Sequence, residues 1–422
     1  MNALQPDQKR ISSTTVRETA QATISTSRYR WIVLLTIWFA FAISVIDRMA
    51  WANVSTSYAQ SLGLPIVALG SFFSAFYIGY FITNAVSGFA ADWFGGRRMV
   101  TLSLLALGAI TFSFSFSNSI AIGLVIQAAM GFVAGMDYSA CVKLLSDSFH
   151  PSEKATAMGL FLTSVPVGLT LSNLLVPTLL QTSGWQGVYR ALGAATMVVG
   201  IAAFCLLRGA HHARIVTAAV ERPPFGELLH NRGVLVSAFG GFGTLWGAWG
   251  FAFWSNALLI KAHGIPSVQA GFIIALFGGS GIVAKPFAGW LADRVRFSKA
   301  ALSVFWSLAF AVSLSIFGYL GSTTAFMVAT IVAGFTAWSA AVLIATLVLE
   351  NAGPALSGSS SGLANALWML GNVLVPMVVG AVFQLTHSFH ASILVLAAGP
   401  LLGAIILLFM PRTDMRRSAI ET

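Results

Sequence analysis

The sequence predicts an all-α membrane protein of twelve transmembrane helices, arranged as two pseudo-symmetric six-helix halves. Three observations predict it. Hydrophobic residues make up 57% of the 422 and charged residues only 9%, with a mean hydropathy of +0.83, whereas a soluble domain is roughly a quarter charged. The basic residues fall at intervals between long apolar runs, and two short motifs of the first half recur in the second. A spanning helix needs about 20 apolar residues because its backbone finds no water in the hydrocarbon, so this length holds about twelve with short loops.

The first thirty residues carry Lys9, Arg10, Arg17, Arg28 and Arg30 among Ser and Thr, without an apolar core or small-residue cleavage site. They read as a disordered cytoplasmic tail, residues 1–30, and not as a signal peptide. Apolar runs near Trp31 to Tyr58, Ile66 to Ala91, Met99 to Phe116, Ser119 to Phe149, Ala155 to Leu180 and Gly187 to Leu207 form a first bundle, residues 31–207. A polar, basic stretch, 208–232, reads as a cytoplasmic linker. Further runs near Gly233 to Ile260, Ser267 to Ala292, Ala300 to Tyr319, Thr323 to Leu349, Leu356 to Leu385 and Ala391 to Met410 form a second bundle, 233–410, followed by a tail, 411–422.

Lys and Arg accumulate in loops that stay cytoplasmic. Alternate connections hold Arg97 and Arg98, then Lys154, then Arg208, Arg214, Arg222 and Arg232, then Arg294, Arg296 and Lys299, and last Arg412, Arg416 and Arg417; the opposite connections hold little beyond Lys261. Both termini are therefore expected in the cytoplasm, which requires an even number of spans. Gly88-Phe-Ala-Ala-Asp92 recurs as Gly289-Trp-Leu-Ala-Asp293, and Asn173-Leu-Leu-Val-Pro177 as Asn372-Val-Leu-Val-Pro376, at offsets that agree within two residues. Two matches at a common spacing argue for duplicated, parallel halves with a site between them.

Several function classes are set aside. The net charge of +10 marks topology, because the basic residues sit between apolar blocks and not on one aqueous face of the kind that binds nucleic acid. Cys141 and Cys205 lie in separate apolar runs and support neither a disulfide framework nor a metal site. His150, His211, His212, His387 and His390 fall in loops and read as solvated. No Walker motif, zinc spacing, haem signature or nucleophile elbow occurs, so no enzyme, cofactor or ATP-driven pump is expected.

The connection Gly88-Phe-Ala-Ala-Asp92-Trp-Phe-Gly95-Gly96-Arg97-Arg98 resembles the signature loop of the major facilitator superfamily, Gly-x-x-x-Asp-(Arg/Lys)-x-Gly-x-(Arg/Lys)-(Arg/Lys), with Trp93 where a basic residue is usual. The resemblance covers the whole chain. It implies alternating access, with Gly88, Asp92, Arg97 and Arg98, and in the second copy Gly289, Asp293 and Arg294, acting as a cytoplasmic gate. It also implies a monomer.

Ionisable residues within spans are functional candidates, because burying charge in a membrane is unfavourable. Asp47 and Arg48 are adjacent in helix one and point about 100 degrees apart, so each should seek its own partner. Asp137 is expected in mid helix four and Lys285 in helix eight. The Asp47-Arg48 pair with Asp137 resembles the organic anion to cation symporters of the superfamily, and Lys285-Pro286-Phe-Ala-Gly289 is similar to the (Arg/Lys)-Pro-x-x-Gly pattern of monocarboxylate and nitrate carriers, where the basic residue meets the anion. Trp249, with Trp246, Trp254 and Asn256, and the paired Asn173 and Asn372, are further candidate substrate contacts. Blander roles stand beside these: a permanent ion pair between helices one and four, a snorkelling Lys285, packing tryptophans and helix-bridging amides.

The expected function is thus secondary active transport of a small organic anion, a carboxylate, with protons across a bacterial inner membrane. Lys285, Arg48, Asn173, Asn372 and Trp249 would contact substrate, and Asp47 and Asp137 would exchange protons. A proton-driven drug exporter of the same fold is the alternative, although its helix-five signature is matched weakly by Ser164-Val-Pro166-Val-Gly168. A non-transporting ligand sensor is the third reading.

Overall fold

The computed structural model describes residues 28–149, 153–207, 229–294 and 298–411. Residues 1–27 and 412–422 of the expected tails and 208–228 of the linker, with His150, His211, His212, Arg208, Arg214, Arg222 and Arg296, lie outside the described residues; Tyr29 and Arg30, expected at the end of the tail, begin α1. The helices are α1 (Tyr29–Leu62), α2 (Ile66–Phe94), α3 (Gly96–Phe114), α4 (Ile120–Ala134), α5 (Asp137–Ser148), α6 (Lys154–Leu162), α7 (Ser164–Leu206), α8 (Arg232–His263), α9 (Ser267–Arg294), α10 (Lys299–Phe317), α11 (Thr323–Thr386) and α12 (Phe389–Leu407). Serines and an asparagine start several of them: Ser119, Asn231, Ser298, Ser322 and Ser388 each accept a backbone N–H three residues on, which satisfies a donor the helix leaves free.

Helix and membrane crossing do not correspond one to one. Gly184 (φ 66°, ψ 178°) and Gly353 (φ 71°, ψ 172°) interrupt α7 and α11, in a region essentially reserved for glycine. At Gly184 the chain folds back. Ser172 and Thr196, twelve residues to either side, both reach the same level of α1: Ser172 Oγ donates to the Ile46 carbonyl (3.2 Å) and Thr196 Oγ1 to Asp47 Oδ2 (2.7 Å). Around Gly353, Val348 and Ala364 likewise meet in one cluster with Ala238. α4 and α5 together form one crossing, as do α6 and the first part of α7. Ten described helical segments are long and apolar enough to span a membrane; one of them, Ala157–Leu206, is the pair of crossings joined at Gly184. With α2, whose 29 residues rise about 43 Å, the chain makes twelve crossings.

Replacing Gly184 by alanine is expected to destabilise the protein by about 1–3 kcal/mol. The thermal midpoint of detergent-purified protein checks this. Gly159, where an added Cβ would meet nothing within 4 Å, is the neutral control.

The expected fourth crossing, Ser119 to Phe149, is made of α4 and α5. It tightens at Gly135–Met136, where the Met136 N–H bonds to Val133 three residues back (3.1 Å), so Asp137 opens α5 within that crossing. The first turn of a helix is a favourable place for a carboxylate. A second tightening, between α6 and α7, precedes Pro166, which has no N–H to give Leu162; the Ser164 hydroxyl bonds to Phe161 O there instead (2.6 Å).

The two halves touch chiefly toward the face opposite the termini. There a Cβ on Gly70 of α2 would stand 2.4 Å from Pro376 O of α11, and one on Gly271 of α9 would stand 2.4 Å from Asn173 O of α7. Ser74 Oγ donates to Val373 O (2.6 Å), and the Phe73 and Phe253 rings stack at 4.5 Å. Toward the termini fewer contacts join the described residues of the two halves. Among the described residues the last hydrogen bond between them in that direction is Asn365 Nδ2 to Asn84 Oδ1 (3.2 Å), about two-thirds of the way along α2, and added Cβ atoms on Gly159, Gly289 and Gly362 would meet open space.

Candidate functional site

Asp47, Arg48 and Asp137 lie in the first half and Lys285 in the second. Asp47 is buried, and its Oδ2 accepts the Thr196 hydroxyl of α7 while Oδ1 has no partner. Asp137 is buried as well. One of its oxygens accepts the Ser103 hydroxyl of α3, and the other, Oδ2, is unpartnered. Each carboxylate is therefore held by one hydroxyl and keeps one oxygen free to take a proton.

Arg48 turns away from Asp47. Its guanidinium lies 4.6 Å above the Tyr80 ring centroid and 5.9 Å from that of Phe76, both on α2, and its Nε and Nη2 have no hydrogen-bond partner. No ion pair among the described residues joins Arg48 to Asp47 or Asp137, so a permanent salt bridge between helices one and four is not what these residues form. In the other half Lys285, half-buried, places its ammonium 4.9 Å from the Trp338 ring centroid, again with no carboxylate in ion-pair reach among the described residues. Aromatic faces attract both cations without neutralising them.

A run of rings connects the two. Tyr77 lies beside Tyr80 at 6.1 Å and beside Phe253 at 5.2 Å; Phe253 stacks on Trp249 at 5.8 Å, and Trp249 meets Trp338 edge-on at 5.9 Å. Trp249 thus belongs to the wall between the cations. Trp246 and Trp254 instead donate to backbone carbonyls of Val395 and Pro376 within their own half.

Asn173 accepts from Asn256 Nδ2 (2.7 Å). Asn372 is buried with its Oδ1 unpartnered, and its Nδ2 lies 3.7 Å from Met369 Sδ. The motif residues are not drawn together across the halves. Arg97 donates to Phe204 O (2.8 Å) at the end of α7, Arg98 is exposed, and Arg294 lies over Trp290 at 5.3 Å. The side chains of Asp92 and Asp293, and the surroundings of Gly88, are outside what is described. The ion pairs described on the termini face, Arg30–Glu153, Lys143–Asp147 and Lys299–Glu350, each stay within one half.

Sequence reasoning missed Thr196, Ser103, Tyr80, Trp338 and Asn53. For Asn53 a signal existed: Trp51-Ala-Asn53 recurs as Trp254-Ser-Asn256, at nearly the offset of the other repeats.

The chain is 23% identical over 431 residues to the probable galactarate/D-glucarate transporter GarP of Escherichia coli, covering 93% of this chain and 96% of that one. It is 21% identical to a probable L-galactonate transporter of the same organism (91% and 90% covered) and 25% identical to the probable nitrate/nitrite transporter NarK2 of Mycobacterium tuberculosis (86% and 92%). In fold it is similar to a bacterial homologue of the human lysosomal transporter Spinster in an inward-facing, occupied conformation, with a TM-score of 0.80 at 14% identity, covering 92% of this chain and 99% of that one. The family model of the Major Facilitator Superfamily matches residues 37–376. This chain is a multi-pass membrane protein that belongs to the Major Facilitator Superfamily.

Proposed function

We propose that the protein is a secondary active transporter that carries a sugar acid, a small polyhydroxylated carboxylate, with protons across the bacterial inner membrane. The observation that carries this reading is the pair Arg48 and Lys285: one cation on each half, each over an aromatic ring, neither paired with a carboxylate among the described residues. A cation held within the membrane without a counter-ion is unfavourable, and a bound anion relieves it. All three relatives described above are named for anions, two of them for sugar acids. That supports a carboxylate over a cationic drug.

The mechanism follows from charge balance. While both carboxylates are ionised, Asp47 and Asp137 balance the charge of Arg48 and Lys285 over the site as a whole without pairing with either cation. Protons on Asp47 Oδ1 and Asp137 Oδ2 leave the two cations uncompensated, so a dianion binds with two protons more readily than alone. Asn372 Oδ1 accepts a substrate hydroxyl, Asn173 lines the far end of the path, and Trp249 packs against the carbon chain. With both termini cytoplasmic and residues 208–232 as the linker between bundles 31–207 and 233–410, the sparser contact toward the termini is that of an inward-facing state. Gly88, Asp92, Arg97, Arg98, Gly289, Asp293 and Arg294 would then close the cytoplasmic gate in the opposite state, and the protein would work as a monomer.

Competition in proteoliposomes tests the substrate. Unlabelled galactarate, glucarate and galactonate are expected to displace radiolabelled glucarate uptake, with nitrate and hexose phosphate far weaker. Uptake of nitrate or hexose phosphate in preference to every sugar acid would overturn the reading.

A further inference from the structure

The geometry points to Asn256 as the latch of the gate on the face opposite the termini, an uncharged device whose two amide hydrogens tie the halves together. Asn256 of α8 donates one hydrogen to Asn53 Oδ1 of α1 (2.9 Å) and the other to Asn173 Oδ1 of α7 (2.7 Å). All three amides are 2% exposed or less. Both acceptors are steadied by their own helices, since Asn53 Nδ2 bonds to Met49 O (3.4 Å) and Asn173 Nδ2 to Leu169 O (2.9 Å). Both bonds from Asn256 cross from one half to the other.

The latch has a space on its outer side. A cavity of about 430 Å³ is lined by Thr56, Ser57 and Gln60 of α1, Gln181 of α7, and Gly264 and Ser267 at the junction of α8 and α9. These positions lie one to three turns beyond the triad on, or next to, the helices that supply it. On the inner side Arg48 is five residues back along α1, about 7.5 Å of rise. The three amides therefore divide an uncharged vestibule from the charged site.

The repeat explains why the latch is one residue. Asn53 and Asn256 occupy matching places in the two halves, as do Asn173 and Asn372, so the counterpart of the Asn256–Asn173 bond would be Asn53–Asn372. That second arm is not made: Asn372 Oδ1 has no partner. Opening the gate requires breaking the two Asn256 hydrogen bonds, and side-chain hydrogen bonds between helices within membranes are weak enough for this in each cycle.

The test is a distance measurement without substrate or pH gradient, so failure of the sugar-acid reading does not affect it. Spin labels at Ser61→Cys and Lys261→Cys, both exposed ends of α1 and α8, are placed in full-length protein with Cys141→Ala and Cys205→Ser, in nanodiscs. The short distance is expected to dominate in the unmodified latch. Asn256→Ala should raise the ratio of long to short distances on the order of tenfold, and Asn53→Ala and Asn173→Ala should each give part of that shift. If Asn256→Ala does not fold, the two single acceptor variants decide. Asn372→Ala should leave the distances as they are. Unchanged distances in folded Asn256→Ala, or in both acceptor variants, would overturn the latch.

Discussion

Arg48→Ala is expected to lower sugar-acid uptake by about 100-fold while the purified protein keeps its thermal midpoint within a few degrees. The two readouts separate two roles for a buried arginine. If Arg48 balanced Asp47 or Asp137 in a permanent pair, its removal would strand a buried carboxylate and destabilise the fold by about 3–5 kcal/mol. It makes no such pair among the described residues and rests on Tyr80 at 4.6 Å, so the anion and not the fold depends on it. Arg48→Lys retains the charge but loses the planar stacking and the paired donors. It should recover only part of the uptake, with the deficit mainly in KM.

Asp137→Asn should weaken stimulation of uptake by an inward proton gradient, a loss of about 10- to 100-fold under gradient conditions that leaves only the proton carried by Asp47, and should leave substrate exchange between equal pools intact. The amide keeps the shape of the carboxyl and an oxygen for the Ser103 hydroxyl, but it takes no proton. Counterflow in proteoliposomes distinguishes the cases. Loss of exchange together with driven uptake would make Asp137 a positioning residue. Ser103→Ala offers a milder companion, since it leaves the carboxyl in place without its hydroxyl donor.

The sequence carried the scaffold well because membranes impose it: hydropathy marks each crossing and the placement of Lys and Arg divides the loops. The crossings joined at Gly184 and Gly353 were legible as gaps between apolar runs, even though the helices continue to either side of one glycine. The tightening before Asp137 was not legible, because Gly131 and Gly135 are as common in packed membrane helices as in tightened ones. The charged members of the site stood out because charge is rare in spans. Their partners did not. Thr196 is 149 positions from Asp47, and a hydroxyl on an apolar helix has no spacing that tells which carboxylate it will meet. Tyr80 and Trp338 look like ordinary core aromatics until the cations above them are seen.

Proton movement measured directly is the closest test of the account. Protein is reconstituted in weakly buffered vesicles, and glucarate is added outside with external pH recorded alongside radiolabel uptake. The account predicts external alkalinisation with two protons entering per glucarate, reduced in Asp137→Asn. Glucarate uptake with no accompanying proton movement would contradict it.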